Sequence, residues 1–381
     1  MNEVFINYLS ALMPNEPVSN EEMEKVLGFI GDTPSRARKI VLKSNGIKNR
    51  YYVFKDGQML FTNAKLTALA VEKLKTKGAP LDELELLACG TSLPDQIMPN
   101  HALMVHGELK AKPMEVVSAA GICVSGVMAL KYAYMSVGLG LTQNAVATGS
   151  ETASQLLHKD NFEAETVFKL EQLKKNPEIA FEKDFLRWML SDGAGALWLS
   201  SKPNESGLCF KIKWIEQVSY AGEMPVCMYA GAHIDEEGAF KGYLAYSQEE
   251  RQRLSVLSVK QNVRLLNENI AEYTIVKPLK KIVRKRELNA DDIDYFLPHY
   301  SSHYFRDKTY EGLKKAGLEI GYEKWFTNLY EKGNTGSASF YIILEEFARI
   351  KPIKNGDKIL CFIPESGRFS TAFVLLEAVI K

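Results

Sequence analysis

Between Glu115 and Ser154 the spacing of apolar and polar positions changes several times, and the rest of the chain reads as organised around that stretch. Glu115–Ser118 has the pattern of a short buried strand, and Ala119–Ile122 that of a turn of small residues. From Cys123 a helical period runs to about Ser136, with Gly138 and Gly140 ending it. Asn144–Thr148 then reads as a second strand. The unit is strand, turn, helix, strand, with one cysteine at the helix start.

Upstream, Val4–Met13 reads as a strand or a short helix before Pro14. Ser19 is placed to cap a helix that carries Met23, Val26 and Leu27. Ala37–Lys43 follows, and Arg50–Lys55 alternates as a strand. Thr62–Lys77 is a helix, and Glu83–Ala88 a buried strand feeding Cys89-Gly-Thr-Ser92. Downstream, the Lys- and Glu-rich Asn161–Phe185 is expected to be helical with an exposed face. Ser191-Asp-Gly-Ala-Gly-Ala196 reads as a tight glycine turn entering strand Leu197–Ser200. It lacks the Gly-Lys-Ser/Thr ending of a phosphate loop and the full dinucleotide spacing. The polar Lys202–Ser206, with Pro203, is the expected boundary between halves covering 1–203 and 204–381.

The second half opens on strand Leu208–Val218 and a loop, Ser219–Tyr246. Ser247-Gln-Glu-Glu250 has the form of a capping box. A long amphipathic helix is expected from Glu249 to about Ala271, continuing after a break to Arg286. Then come strand Ile293–Leu297, helix Ser302–Ala316, the loop Gly333–Gly336, and helix Ser337–Ile350. Strand Lys358–Ile363, the loop Pro364–Arg368 and strand Ser370–Ile380 complete the chain. Ile293–Ala316 and Gly333–Ile380 repeat the strand, junction and helix plan of the first half. Mixed strands and helices argue for a layered α/β fold.

Composition narrows the function. Of 381 residues, 46% are hydrophobic and 25% charged, as in ordinary globular chains. Lys+Arg and Asp+Glu are equal at 47 each, so charge favours neither nucleic acid nor an anionic membrane. The five cysteines are scattered without a Cys-x-x-Cys pair, which argues for a reducing compartment and against a disulfide framework. No basic leader with a long apolar run begins the sequence. No apolar run approaches the roughly 20 residues of a membrane span. The cytoplasm is the expected compartment.

Three junctions present a reactive polar group: Cys123, His299 and Asn334. Gly367 sits in a fourth, between two strands. Junctions after buried strands are where α/β folds place chemistry. A thiol at a helix start meets free N–H groups and the positive end of the dipole, so a lowered pKa is expected at Cys123. A thiolate there attacks a thioester carbonyl and holds the acyl group. N–H groups of Cys123 and Gly367 would receive the oxyanion, and His299 with Asn334 would supply two donors to an enolate oxygen. The plain alternatives are a buried structural cysteine, a buried histidine and an ordinary Asn-Thr-Gly turn. His303 lies four residues after His299, but the Glu of a metalloprotease pair does not follow His299, and no metal is assigned.

Read in order, Ala120-Gly-Ile-Cys-Val-Ser-Gly126, Ser191-Asp-Gly-Ala-Gly-Ala196, Leu297-Pro-His299 and Gly333-Asn-Thr-Gly-Ser-Ala-Ser339 resemble the motifs of thiolase-fold condensing enzymes. The nearest type is 3-oxoacyl-[acyl-carrier-protein] synthase III, and the likeness runs from about Ser44 to the C-terminus. It implies a five-layered α-β-α-β-α fold of two pseudo-symmetric halves and a homodimer. It implies Cys123 as the acylated nucleophile, His299 and Asn334 as the decarboxylation and enolate pair, and Gly367 as the second oxyanion donor. Met98 resembles the segment that reaches the partner's acyl pocket, and Phe369 ends the usual glycine-rich segment. Acyl-CoA or acyl carrier protein would bring the substrates, with no further cofactor.

The sequence also departs from that pattern. Ile122 and Val124 are bulkier than usual beside the cysteine, and Glu365, Ser366 and Arg368 interrupt the terminal glycine run. The expected Trp and Arg clamp for coenzyme A is not evident. The resemblance therefore implies a specialised ketosynthase, of the kind that makes dialkylresorcinol precursors, other polyketides or unusual lipids, joining an acyl thioester to a malonyl or β-ketoacyl thioester. The competing readings are an acyltransferase of the same fold, a Cys-His-Asn thioester hydrolase, and a non-catalytic partner subunit.

Overall fold

The computed structural model describes residues 2–29, 38–161, 186–235 and 237–381. Its main strands are β1 (Phe5–Leu12), β2 (Leu86–Thr91), β3 (Glu115–Ala120), β4 (Asn144–Glu151), β5 (Gly193–Ser200), β6 (Leu208–Ser219), β7 (Tyr295–Pro298), β8 (Lys358–Glu365) and β9 (Ser370–Ile380). These nine strands hydrogen-bond side by side in the order β3-β2-β4-β5-β1-β6-β9-β8-β7. The helices that cover them are α1 (Asn63–Lys75), α2 (His101–Leu109), α3 (Ser125–Leu139), α4 (Val263–Ala271), α5 (Lys277–Arg286), α6 (Arg306–Lys315) and α7 (Ser339–Ile350).

That strand order is a duplication. In the first half β2 runs parallel to β3 and β4, β4 pairs antiparallel with β5, and β5 antiparallel with β1. In the second, β7 runs parallel to β8, β8 pairs antiparallel with β9, and β9 antiparallel with β6. A parallel bridge from Phe296 of β7 to Trp325 stands where β3 stands in the first half. The halves meet at β1 and β6, through Phe5 opposite Lys211 and Ile6 opposite Phe210.

Strand alternation sorts the side chains into layers. Leu86 and Ala88 of β2 pack with Val127 of α3 and Tyr341 of α7. Leu87 and Cys89 point the other way, onto Leu66 of α1 and Val105 of α2. In the second half Ile359, Cys361 and Ile363 share the cluster of α3 and α7. Leu360 and Phe362 face Leu279 of α5 and Leu313 of α6. The outcome is helix, sheet, helix pair, sheet, helix, with α3 and α7 buried in the middle. Each fully buried Leu, Ile or Phe in these interfaces contributes roughly 1.5–3 kcal/mol.

Most elements fall within two or three residues of their expected bounds; the exceptions have identifiable causes. Val4–Met13 is the strand β1. β3 runs through Ala119 and Ala120, so the turn before Cys123 is shorter than expected, and α3 begins at Ser125. Gly138 lies inside α3, which ends at Gly140 with φ 73°. The glycine run before Leu197 is strand β5 rather than a turn. Its glycines serve close packing: a Cβ on Gly195 would stand 2.4 Å from Cβ of Tyr341. Asp192 anchors the strand start, accepting from the Val53 amide at 2.7 Å and the Ser154 amide at 2.9 Å.

Ser19 does not cap a helix; the Glu22 carboxylate reaches back to its amide and hydroxyl, and the helix starts at Met23. Arg50–Lys55 splits into two short strand pairs, because the Arg50 side chain is buried and donates to the Trp188 carbonyl. His101–Leu109 is a helix that the apolar pattern did not single out. The capping box at Ser247 is present, but its helix spans only Gln248–Arg253. Ser255, at φ 47°, turns the chain out of helical conformation. A continuous run then goes from Val263 to Arg286, passing through a π turn at Glu272–Val276. Pro278 has no N–H for the carbonyl four residues back, and the ladder widens just before it. The expected helices at Asn161–Phe185 lie almost wholly outside the described residues.

Candidate active site

Cys123 sits in the short turn between β3 and α3, half-buried. The amides on either side of it are engaged: Ile122 N–H and Val124 N–H both donate to Oε2 of Glu365, at 2.9 and 3.1 Å. A carboxylate thus occupies the helix start, and the expected lowering of the thiol pKa is reversed. Burial first, then the carboxylates of Glu365 and Glu151, push the Cys123 thiol well above the ordinary cysteine range. A helix dipole stabilises an anion only where its amides are free to face it.

His299 follows β7 directly. Its amide donates to the Phe362 carbonyl at 2.8 Å, extending the parallel ladder with β8 and holding the residue at the sheet end. The side chain is 3% exposed, and burial pushes its pKa down to about 4. The imidazole is therefore neutral at neutral pH, and one ring nitrogen carries a proton to donate.

Asn334 is fixed by backbone and side chain together. Its amide donates to the Met189 carbonyl at 2.9 Å and its carbonyl accepts from Ser191 N–H at 2.8 Å. Its Oδ1 accepts from the Gly336 amide at 3.0 Å, which leaves the Nδ2 protons for another acceptor. Gly333 at φ 70° and Gly336 at φ 52° allow the chain to turn there.

Cys123, His299 and Asn334 all line one cavity of about 420 Å³, within the range of small-molecule sites. Its polar part includes Ser92, Glu151 and Gly336; its apolar wall includes Met189, Met228, Leu266, Ile270 and Phe305. Thr274 and Ile275, from the π turn, also line it. Such turns often mark functional sites because they displace side chains from the helical register.

The other expected site residues are placed differently. Gly367 is buried behind Ile122, whose Cδ1 stands 2.5 Å from where a Gly367 Cβ would be, and it does not line the cavity. Its carbonyl accepts the amides of Cys227 and Met228. Phe369 is wholly buried at φ 56°, against Tyr273, and Met98 is 80% exposed on the surface. Neither lines the cavity of its own chain. His303 is exposed and pairs through Nδ1 with the Tyr330 hydroxyl at 2.5 Å. Among the described residues no cluster of His, Cys, Asp and Glu is placed to hold a metal.

Two site residues escaped the sequence reading. Glu151, at the end of β4, lines the cavity and accepts from the Ser92 and Ser337 amides at 3.0 and 3.1 Å. Glu365 touches both neighbours of Cys123. Their signal was a carboxylate at the end of an otherwise apolar strand, which a buried strand does not carry without a partner.

Known proteins resemble the chain over most of its length. Residues 283–375 match the family model described as 3-oxoacyl-[acyl-carrier-protein (ACP)] synthase III C terminal. A beta-ketoacyl-[acyl-carrier-protein] synthase III of Clostridium novyi is 24% identical over 360 residues, 94% of each chain. The structure of a single-residue variant of OleA from Xanthomonas campestris superposes with a TM-score of 0.76 at 18% identity, covering 99% of this chain and 98% of that one. AbyA1, a tetronic acid condensing enzyme, gives 0.74 at 18% identity over 98% of this chain and 99% of that one. No described helix is long and apolar enough to cross a membrane. With two like halves, five layers and the four motifs in order, the chain has the thiolase fold and is similar to 3-oxoacyl-[acyl-carrier-protein] synthase III.

Proposed function

We propose that this chain is a ketosynthase performing a Claisen-type condensation through an acyl-Cys123 intermediate. One observation carries the reading: a thiol, a neutral imidazole and a carboxamide with free N–H groups open on the same cavity. The Cys123 sulfur bonds to the acyl carbonyl of a thioester, the carbon–sulfur bond to the donor breaks, and the thiol proton ends on the departing thiol. A malonyl or β-ketoacyl thioester then binds. With a malonyl group, carbon dioxide leaves and the electron pair passes to the thioester as an enolate. His299 and Asn334 stabilise that oxygen, each donor typically worth about 3 kcal/mol. The carbanion attacks the acyl group, and Cys123 leaves, taking up one proton.

The apolar wall suits an acyl chain. Acyl-CoA and acyl carrier protein are the proposed donors, the second supported by the names of the carrier-protein relatives, and the cytoplasm is the proposed compartment. The likeness to AbyA1 and OleA supports a specialised acceptor in polyketide or lipid synthesis. Ile97 and Met98, 72% and 80% exposed, fit a homodimer contact in which Met98 closes the partner's pocket. Phe369, packed behind the site, would shape the acyl end. The Cys123 N–H is the proposed oxyanion donor; Gly367, expected as the second, stands behind Ile122 and does not line the cavity.

The test is intact-mass analysis with acyl thioesters, followed by a malonyl thioester and measurement of carbon dioxide and product. An acyl adduct on Cys123 that moves to a longer β-keto product is expected. Hydrolysis without a carbon–carbon bond, or an adduct that survives Cys123→Ala, would overturn the reading.

A further inference from the structure

Glu365 and Glu151 occupy matching places in the two halves. β4 and β8 are the corresponding strands, each beside a parallel neighbour and followed by an antiparallel one. Alternation along β8 puts Ile359, Cys361 and Ile363 on the central-helix face, and Glu365 continues that series. Along β4 the same face carries Ala145 and Ala147, and Glu151 continues it. Both carboxylates therefore leave their strands toward the buried helix layer.

Their partners cross between the halves. Glu365, from the second half, accepts from Ile122 and Val124 at the start of α3, in the first. Its other oxygen accepts from the Ser370 hydroxyl at 2.7 Å. Glu151, from the first half, accepts from Ser337 just before α7, in the second, and from the amide and hydroxyl of Ser92. A Cβ on Gly336 would stand 2.8 Å from Cγ of Glu151, so the Asn334 turn lies directly on that side chain. Pro364 and Ser366 line the cavity while Glu365 between them does not, so it acts on the nucleophile through the loop.

We propose that Glu365 and Glu151 are a crossed pair of positioning residues, each half supplying the carboxylate that sets the reactive turn of the other. Glu365 sets the Cys123 turn and Glu151 the Asn334 turn. Burial keeps the resting nucleophile a neutral thiol and the Glu365 carboxylate adds to that, so that its proton travels with the departing group during acylation. Among the described residues, the charged groups acting on Cys123 are these two carboxylates, from the ends of β4 and β8, and the same cavity is lined by neutral His299 from the end of β7 and by Tyr229, Tyr300 and Lys308. The kinetic part rests on the ketosynthase reading; the thiol-reactivity part does not.

The experiment measures the rate of Cys123 alkylation by iodoacetamide against pH, by mass spectrometry on the full chain, with Cys123→Ala marking background. Glu365→Gln keeps an oxygen for both amides and removes the charge. Its profile is expected to move down by about one pH unit, which is about tenfold faster alkylation near neutral pH. Glu151→Gln should move it less. In acyl-transfer assays Glu365→Ala should lower kcat for acylation by about 10- to 100-fold with little change in KM, and Glu365→Gln should restore most of it. Glu151→Ala should lower condensation by about 10- to 100-fold, more than it lowers acylation, and Glu151→Gln should restore most of it. A Glu365→Gln profile that superposes on the wild type overturns the proposal, and that variant carries the test if the alanine variants do not fold. If no thioester acylates the wild type, the ketosynthase reading fails, and the alkylation profiles still decide the carboxylates.

Discussion

The turn before α3 presents Cys123, with its flanking amides on Glu365; the turn before α7 presents Asn334, ahead of a Ser337 amide on Glu151. The strand ends beside them differ in the same way. After β2 the chain offers Ser92, which bonds to Glu151, whereas after β7 it offers His299, whose neutral ring lines the cavity. Position is set by a frame that repeats, and chemistry by single side chains that do not. One half carries the proposed nucleophile and the other the two proposed hydrogen-bond donors, so neither half holds all three side chains of the cavity.

The sharpest way to break this comparison is to remove one side of it. Cys123→Ala should abolish the acyl adduct and lower condensation by about 10⁴-fold or more, as loss of a nucleophile does. His299→Ala and Asn334→Ala should keep the adduct and lose about 10²–10³-fold in condensation. Intact mass and product formation, measured side by side, read both. A His299→Ala protein that no longer acylates would mean that the labour is not divided between halves as described.

The packing that brings the turns together comes next. Gly195→Ala would place a Cβ 2.4 Å from Cβ of Tyr341 on α7. A destabilisation of about 3 kcal/mol is expected, the upper end for overpacking, read by urea unfolding. The pH response is somewhat smaller. His299 has a folded pKa of about 4 against an ordinary 6.5, so between those values the unfolded chain binds more protons. Its contribution to stability is thus present above pH 6.5 and lost as pH falls toward 4, by about 2 kcal/mol from pH 7 to pH 5. His299→Gln should flatten that part of the pH dependence in urea titrations. Smallest is Tyr341→Phe, which removes the hydroxyl that donates to the Gly126 carbonyl at 2.8 Å and ties α7 to α3. About 1 kcal/mol of stability should go.

Much of this was legible along the chain. The apolar periods gave α1, α3, α7 and the strands β6, β8 and β9 to within a few residues, because each buries one regular face, and left β1 open between strand and helix. Four ordered motifs pointed to Cys123, His299 and Asn334, and all three reached the cavity. The errors share a cause. Gly193–Ala196 reads as a turn until Tyr341 is seen packing on it, and the helix after Ser247 stops at a residue forced to φ 47°. The thiol was expected to be acidic because the helix start was visible and the carboxylate that fills it was not; Glu365 lies more than 240 residues further along the sequence.

Local pattern alone therefore determined which segments fold as strand or helix and which reactive side chains stand at their ends, since period and turn chemistry act over a few residues. The tertiary structure decided the state of those side chains. A pKa answers to burial and to every charge and amide nearby in space: His299 is lowered by burial, and the carboxylates around Cys123 come from both halves of the molecule.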